Sequence, residues 1–183
     1  IEHLKLHVDR LFRAESNLTV LYHAFAVEAT TKGDRVEEVV VATKGGLMRI
    51  RPRTVIDTTG DADIAARAEV PLDSLKEFMP MSMHFRIGNV KLGPETRAKA
   101  RDVVVKAHKE GALKSYYGPG LSFLFANDEA YIHAIRITAD ATDPEALTKA
   151  EMQGREDAWT MWELWKKHVP GFEDAYYISS GPY

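Results

Sequence analysis

Val55-Ile56-Asp57-Thr58-Thr59-Gly60-Asp61-Ala62-Asp63 is the stretch on which the reading of the chain turns. Two β-branched apolar residues run into Asp57, and the run stops at Thr58-Thr59-Gly60-Asp61. Residues 62–68 then look helical, with Asp61 or Asp63 near the start. A carboxylate there would accept amide hydrogens that a helix start leaves unpaired. The pattern predicts a buried strand over 54–57 whose carboxyl end meets a glycine and then a helix. Ligands of open α/β sheets collect at such strand ends. Gly60 has no Cβ, so a ligand or a second backbone can approach closely. Asp61 suits sugar-like hydroxyls and would repel a phosphate set directly against it. The same spacing also fits a plain strand-to-helix turn with a capping aspartate.

On the amino-terminal side, Ile1, Leu4, Val8, Leu11 and Phe12 recur at helical spacing and predict an amphipathic helix over 2–14. Residues 19–30, 36–43 and 47–53 read as three strands. The turns Lys32-Gly33-Asp34-Arg35 and Lys44-Gly45-Gly46 join them into an antiparallel meander. Pro52 puts the third strand at its end or at an edge. The character changes over 71–78. Met79, Met81, Met83, Phe85 and Ile87 then alternate, as in a strand with one covered face. A helix follows from Pro94 to about Lys109, closed by Gly111. Strands are expected over 121–126 and 130–138, around the turn Asn127-Asp128-Glu129. Asp143 and Pro144 open a long helix that ends in Lys166, Lys167 and His168 and stops at Pro170-Gly171. The expected class is α+β. Residues 1–75 would hold a helix, a three-stranded meander and a return strand, and residues 76–183 a mixed antiparallel sheet with helices.

The 183 residues carry 24 Lys and Arg against 27 Asp and Glu, a formal charge of −3. That balance gives no reason to expect nucleic acid or an anionic membrane as partner. The sequence has no cysteine, which excludes disulfides, thiolate zinc sites, iron–sulfur clusters and cysteine nucleophiles. No run approaches the roughly 20 apolar residues of a membrane span, and no signal peptide is recognisable. A cytoplasmic chain is expected. Ile1 falls straight into a helical pattern and residues 178–183 read as a strand or turn cut short, so the chain reads as a piece of a larger protein.

Residues 54–71, TVIDTTGDADIAARAEVP, resemble the strand-end motif of FAD-dependent oxidoreductases with a glutathione-reductase-like architecture. The resemblance extends to LTVLYHAFAVEAT, residues 18–30, and to DATDPEALTKAEMQGREDAWTMWELWKKHVPGFEDAYY, residues 140–177. It implies FAD as cofactor and a small organic substrate that exchanges hydride or electrons with the flavin. It implies main-chain contacts to the adenine near Ala26 and Val27. Thr58, Thr59 and Gly60 would pass close to the FAD, with Asp61 lying toward it. Residues 1–75 would be part of the FAD-binding domain and residues 76–183 part of the substrate-side domain. The chain also departs from the family. It has no G-x-G-x-x-G to cradle a pyrophosphate at a helix start; Gly118-Pro119-Gly120 is followed by Phe123 where the last glycine belongs. Glu69 stands where such sequences usually carry glycine. The chain by itself is therefore expected to be inactive and to bind FAD without tight affinity. Uncovered sheet edges and apolar surface lead to the expectation of a homo-oligomer. The alternative is a flavin-independent binding or interaction domain.

Other residues invite functional readings that compete with plainer ones. His3 and His7 share a helix face, but zinc would need further ligands, so no metal site is expected. His84 and Arg86 share a strand face and suit a carboxylate or a proton transfer, or else a solvated, salt-bridged face. His133 and Arg136, an odd number of residues apart, should face opposite sides of their strand. Trp159, Trp162 and Trp165 form a stripe better suited to core or interface than to a flat ligand. Met79, Met81 and Met83 fit an apolar strand face better than a soft-metal site. No G-x-S-x-G supports a hydrolase. No residue is assigned a catalytic role here.

Overall fold

The computed structural model describes residues 2–73, 77–118, 121–124 and 128–181. It falls into two compact units, Ile1–Ser74 and Leu75–Tyr183.

The first unit opens with helix α1 (Glu2–Ala14). Strands β1 (Phe25–Lys32), β2 (Arg35–Thr43) and β3 (Gly46–Ile50) form an antiparallel sheet in the order β1-β2-β3. The β-branched run Val39-Val40-Val41 of β2 is its most buried part, as expected for a central strand. Glu38, also buried, accepts hydrogen bonds from Arg49 Nη1 (2.5 Å) and Arg51 Nε (3.3 Å), which tie β3 to β2 and lower the carboxyl pKa. A short helix, α2 (Asp63–Arg67), closes the unit against β1.

Two expectations fail in this unit. Residues 19–24 lie outside β1; Tyr22 instead donates its hydroxyl to Asp9 Oδ1 of α1 at 2.5 Å. Residues 51–57 lie outside every strand, and Ile56 is 82% exposed, so the buried return strand over 54–57 is not formed. Pro52 removes an amide donor where the chain leaves β3, and the Asp57 carboxylate draws the following residues into a turn.

The second unit is a four-stranded antiparallel sheet in the order β5-β6-β4-β7, made from β4 (Met81–Gly88), β5 (Leu121–Leu124), β6 (Ala130–Ile137) and β7 (Tyr176–Ser180). Helices α3 (Thr96–Lys109) and α4 (Pro144–His168) pack on it. Met83, Phe85 and Ile87 of β4 and Ile132, Ala134 and Ile135 of β6 meet Ala158, Met161 and Trp165 of α4 in one continuous core. The Met-rich strand thus buries Met81 and Met83, while Met79 lies ahead of it in solvent. Trp165 is fully buried, and its Nε1 donates to Ala100 O of α3 at 2.9 Å. Of the tryptophan stripe, Trp159 and Trp162 pack around Tyr177 rather than in the core centre.

The Asp143 carboxylate caps α4 by accepting Glu145 N at 2.9 Å, with Pro144 in the first turn. Farther along α4, buried Asp157 accepts Lys114 N at 3.1 Å and Ser115 N at 2.9 Å, which fixes the segment after α3. The expected strand end over 125–126, the turn residue Asn127, and Pro119-Gly120 lie outside the described residues.

Candidate functional site

Asp57 organises the glycine corner. Its Oδ1 accepts Thr59 N (3.0 Å) and Thr59 Oγ1 (2.7 Å), and its Oδ2 accepts Ile64 N (2.9 Å) and Ala65 N (3.0 Å). Thr59 Oγ1 in turn accepts Asp63 N at 2.8 Å. The orphan amides of the α2 start are therefore satisfied from residues 57 and 59. Asp61 and Asp63, the expected caps, do not serve; the N-cap position is Ala62, in left-handed geometry with φ 57°. The Ala65 amide, with the Thr59 hydroxyl and amide, favours the ionised form of Asp57 and pulls its pKa down to about 2.

Gly60 has φ 98°, and the position its Cβ would take has no atom within 4 Å. The backbone of the turn is thus open to an approaching group. Thr58, Thr59, Gly60 and Asp61 are all exposed. At the far end of α2, Val70 N donates to Ala65 O (3.0 Å) and Glu69 N to Ala66 O (3.1 Å), with Glu69 at φ 56°. This is the left-handed helix stop that glycine favours, so the backbone keeps the glycine conformation although Glu69 occupies the position.

Arg67 connects the corner to the meander. Its Nε donates to Val27 O at 3.0 Å, and its Nη1 donates to Asp63 O (2.8 Å) and Oδ1 (2.9 Å). Val27 is the extra residue of a β-bulge, between the pairs Ala26↔Val41 and Glu28↔Val40. The structure thus links the helix that follows residues 58–61 to the strand that carries Ala26 and Val27. Ala26 is half-buried and Val27 exposed. The backbone at Gly60 is open, and the exposed Asp61 carboxylate, with no hydrogen bond among the described residues, is placed to accept hydroxyl donors. Sequence reasoning missed Asp57 and Arg67. The signal for Asp57 was Asp-x-Thr, an Asx turn, which recurs where Asp140 Oδ1 accepts Thr142 N and Oγ1 at 2.9 and 2.6 Å.

The second unit presents a polar sheet face opposite its core. Arg86 pairs with Glu129. The His84 and His133 rings meet edge-on with centroids 4.3 Å apart, and Tyr131 lies 5.1 Å from His84. Arg136 Nη2 approaches His133 Nε2 at 3.5 Å, and its guanidinium lies over the Tyr117 ring at 4.2 Å. His133 and Arg136 were expected on opposite faces; they share one. Met83 pairs with Ile135 and His84 with His133, which leaves Ala134 as an extra residue and shifts the alternation by one. Desolvation lowers the pKa of both histidines. His133 and Arg136 add repulsion at His84, and Arg136 adds it at His133. Among the described residues no group of three or more His, Cys, Asp or Glu could hold a metal ion, and His3 and His7 gain no third ligand. No helix among the described residues is long and apolar enough to cross a membrane.

A meander unit followed by a helix-bearing antiparallel sheet is an α+β arrangement, and the sequence places it among the flavin-dependent oxidoreductases. Residues 1–183 match the family model described as FAD dependent oxidoreductase, and the chain belongs to that family. FAD is the cofactor that membership implies. Comparison with curated proteins and with solved structures returned no match.

Proposed function

We propose that the chain is the central part of an oxidoreductase that exchanges hydride or electrons between a small organic substrate and FAD. The observation that carries this reading is the exposed, prearranged corner at Gly60 in a chain whose whole length matches the family. Thr58, Thr59 and Gly60 would offer main-chain groups to the cofactor. Asp61 would accept its hydroxyls, and main-chain groups at Ala26 and Val27 would meet the adenine. Asp57 and Arg67 act through the backbone: one fixes the turn, the other fixes α2 on β1. The flavin, when bound, supplies the redox chemistry; the chain supplies placement and shielding. In this reading residues 1–75 belong to the FAD-binding side and residues 76–183 to the substrate side. The chain alone is inactive, because its sequence has no glycine-rich loop for the pyrophosphate, and it self-associates.

FAD titrated into the 183-residue chain, followed by backbone amide NMR, tests the placement. Weak binding is expected, with shifts concentrated at residues 26–27 and 58–61. Shifts that bypass both segments overturn the placement, and submicromolar affinity overturns the expectation that the chain lacks the means to hold the phosphates.

A further inference from the structure

We propose that His84, His133 and Arg136 form a recognition site for the carboxylate of a small molecule, on the face of the second sheet turned away from its core. Three observations converge. First, the bulge at Ala134 brings the three side chains onto one face, where regular alternation would separate them; bulges commonly re-aim side chains next to functional sites. Second, Arg136 Nε and His84 Nε2 are both buried without a hydrogen-bond partner. Buried polar atoms are nearly always paired, so two orphans in one cluster point to an acceptor brought by a ligand. Third, the cluster carries a cation that no described carboxylate pairs with. Arg136 contacts His133 and the Tyr117 ring and has no carboxylate partner among the described residues, while Glu129 is engaged by Arg86.

The chemistry selects an anion. A metal ion would sit against the Arg136 guanidinium, and Glu129, the carboxylate facing the cluster, is already engaged by Arg86. A carboxylate suits the planar fork of arginine, and its charge would favour protonation of the neighbouring imidazoles, whose pKa values are now depressed. The groups facing the cluster are Ser82 and Arg86 from β4, Tyr131 and Glu129 on or beside β6, and Tyr117 from the segment before β5. Calling the ligand a substrate rests on the oxidoreductase reading; the binding itself does not.

The test is a titration of propionate into the full 183-residue chain at fixed ionic strength, read on the ring protons of its seven histidines. Saturable shifts confined to His84 and His133 are expected, with none from propionamide, the neutral isostere. Arg136→Gln should weaken propionate at least tenfold, whereas Arg155→Gln, exposed on α4 and paired with Glu151, should change it less than twofold. His84→Gln, read on His133, serves if the Arg136 variant does not fold. Linear drift of all seven histidines, equal shifts from propionamide, tighter binding of inorganic phosphate, or undiminished affinity in both site variants would overturn the proposal. None of these outcomes touches the FAD placement, which is read on amides of the other unit.

Discussion

Asp57 spends one carboxylate on two tasks, closing the Thr59 turn and capping α2. Rules that place caps immediately before a helix overlook it, because six positions separate Asp57 from Asp63. The sequence showed the corner and its glycine; it did not show which acid holds the corner together. The folded pKa, about 2, lies below the ordinary value of 3.8. The stability Asp57 contributes is therefore fully present above the ordinary value and is lost as pH falls through about 2. Asp57→Ala should accelerate amide exchange at Ile64 and Ala65 on the order of tenfold at neutral pH, the usual scale for losing a cap. The difference from the unaltered chain should shrink as acid protonates Asp57, and an undiminished difference at pH 1 would exclude the carboxylate as its cause.

Elements with long periods were legible in the sequence. The apolar spacing of α1, the Asp143-Pro144 start of α4 and the alternation of β4 from Met81 onward appear as read, because each follows one regular geometric rule; Met79, read into the same alternation, lies ahead of the strand. Bulges were not legible. One extra residue at Ala134 reverses the face of everything beyond it, and no local residue preference announces it. The stop at Pro170-Gly171 was readable as a stop, but its second role was not. Gly171 O accepts Lys91 N at 2.9 Å, and a Cβ on Gly171 would stand 1.9 Å from Lys91 O at φ 93°. The backbone leaving β4 therefore crosses the backbone leaving α4 at this glycine. Gly171→Ala should cost about 3 kcal/mol or more, strain and clash together. Gly111→Ala, at φ 80° but facing open space, should cost only about 1 kcal/mol. Urea unfolding followed by tryptophan fluorescence measures both, and equal losses would show that conformation alone, rather than the crossing, sets the penalty.

At the scale of the whole molecule, burial is uneven. Among the described residues, Ala29, Val39, Val40, Val41 and Ala68 are the buried apolar side chains of the first unit, whereas the second has a continuous core from β4 to α4. Leu4, Leu11, Phe25, Leu47, Met48 and Ile56 of the first unit are exposed instead. Composition did not reveal this, because an apolar residue counts the same whether or not the fold covers it. Apolar surface on this scale, beside the open edges of β1 and β3, favours association over solvation. Sedimentation equilibrium should therefore give a mass at least twice the 20.5 kDa of one chain, falling toward one chain in the double variant Phe25→Glu, Leu47→Glu. A single species of one-chain mass across micromolar concentrations would mean that water tolerates this surface. A double variant that remains associated would place the contact elsewhere, on the edges of the second sheet.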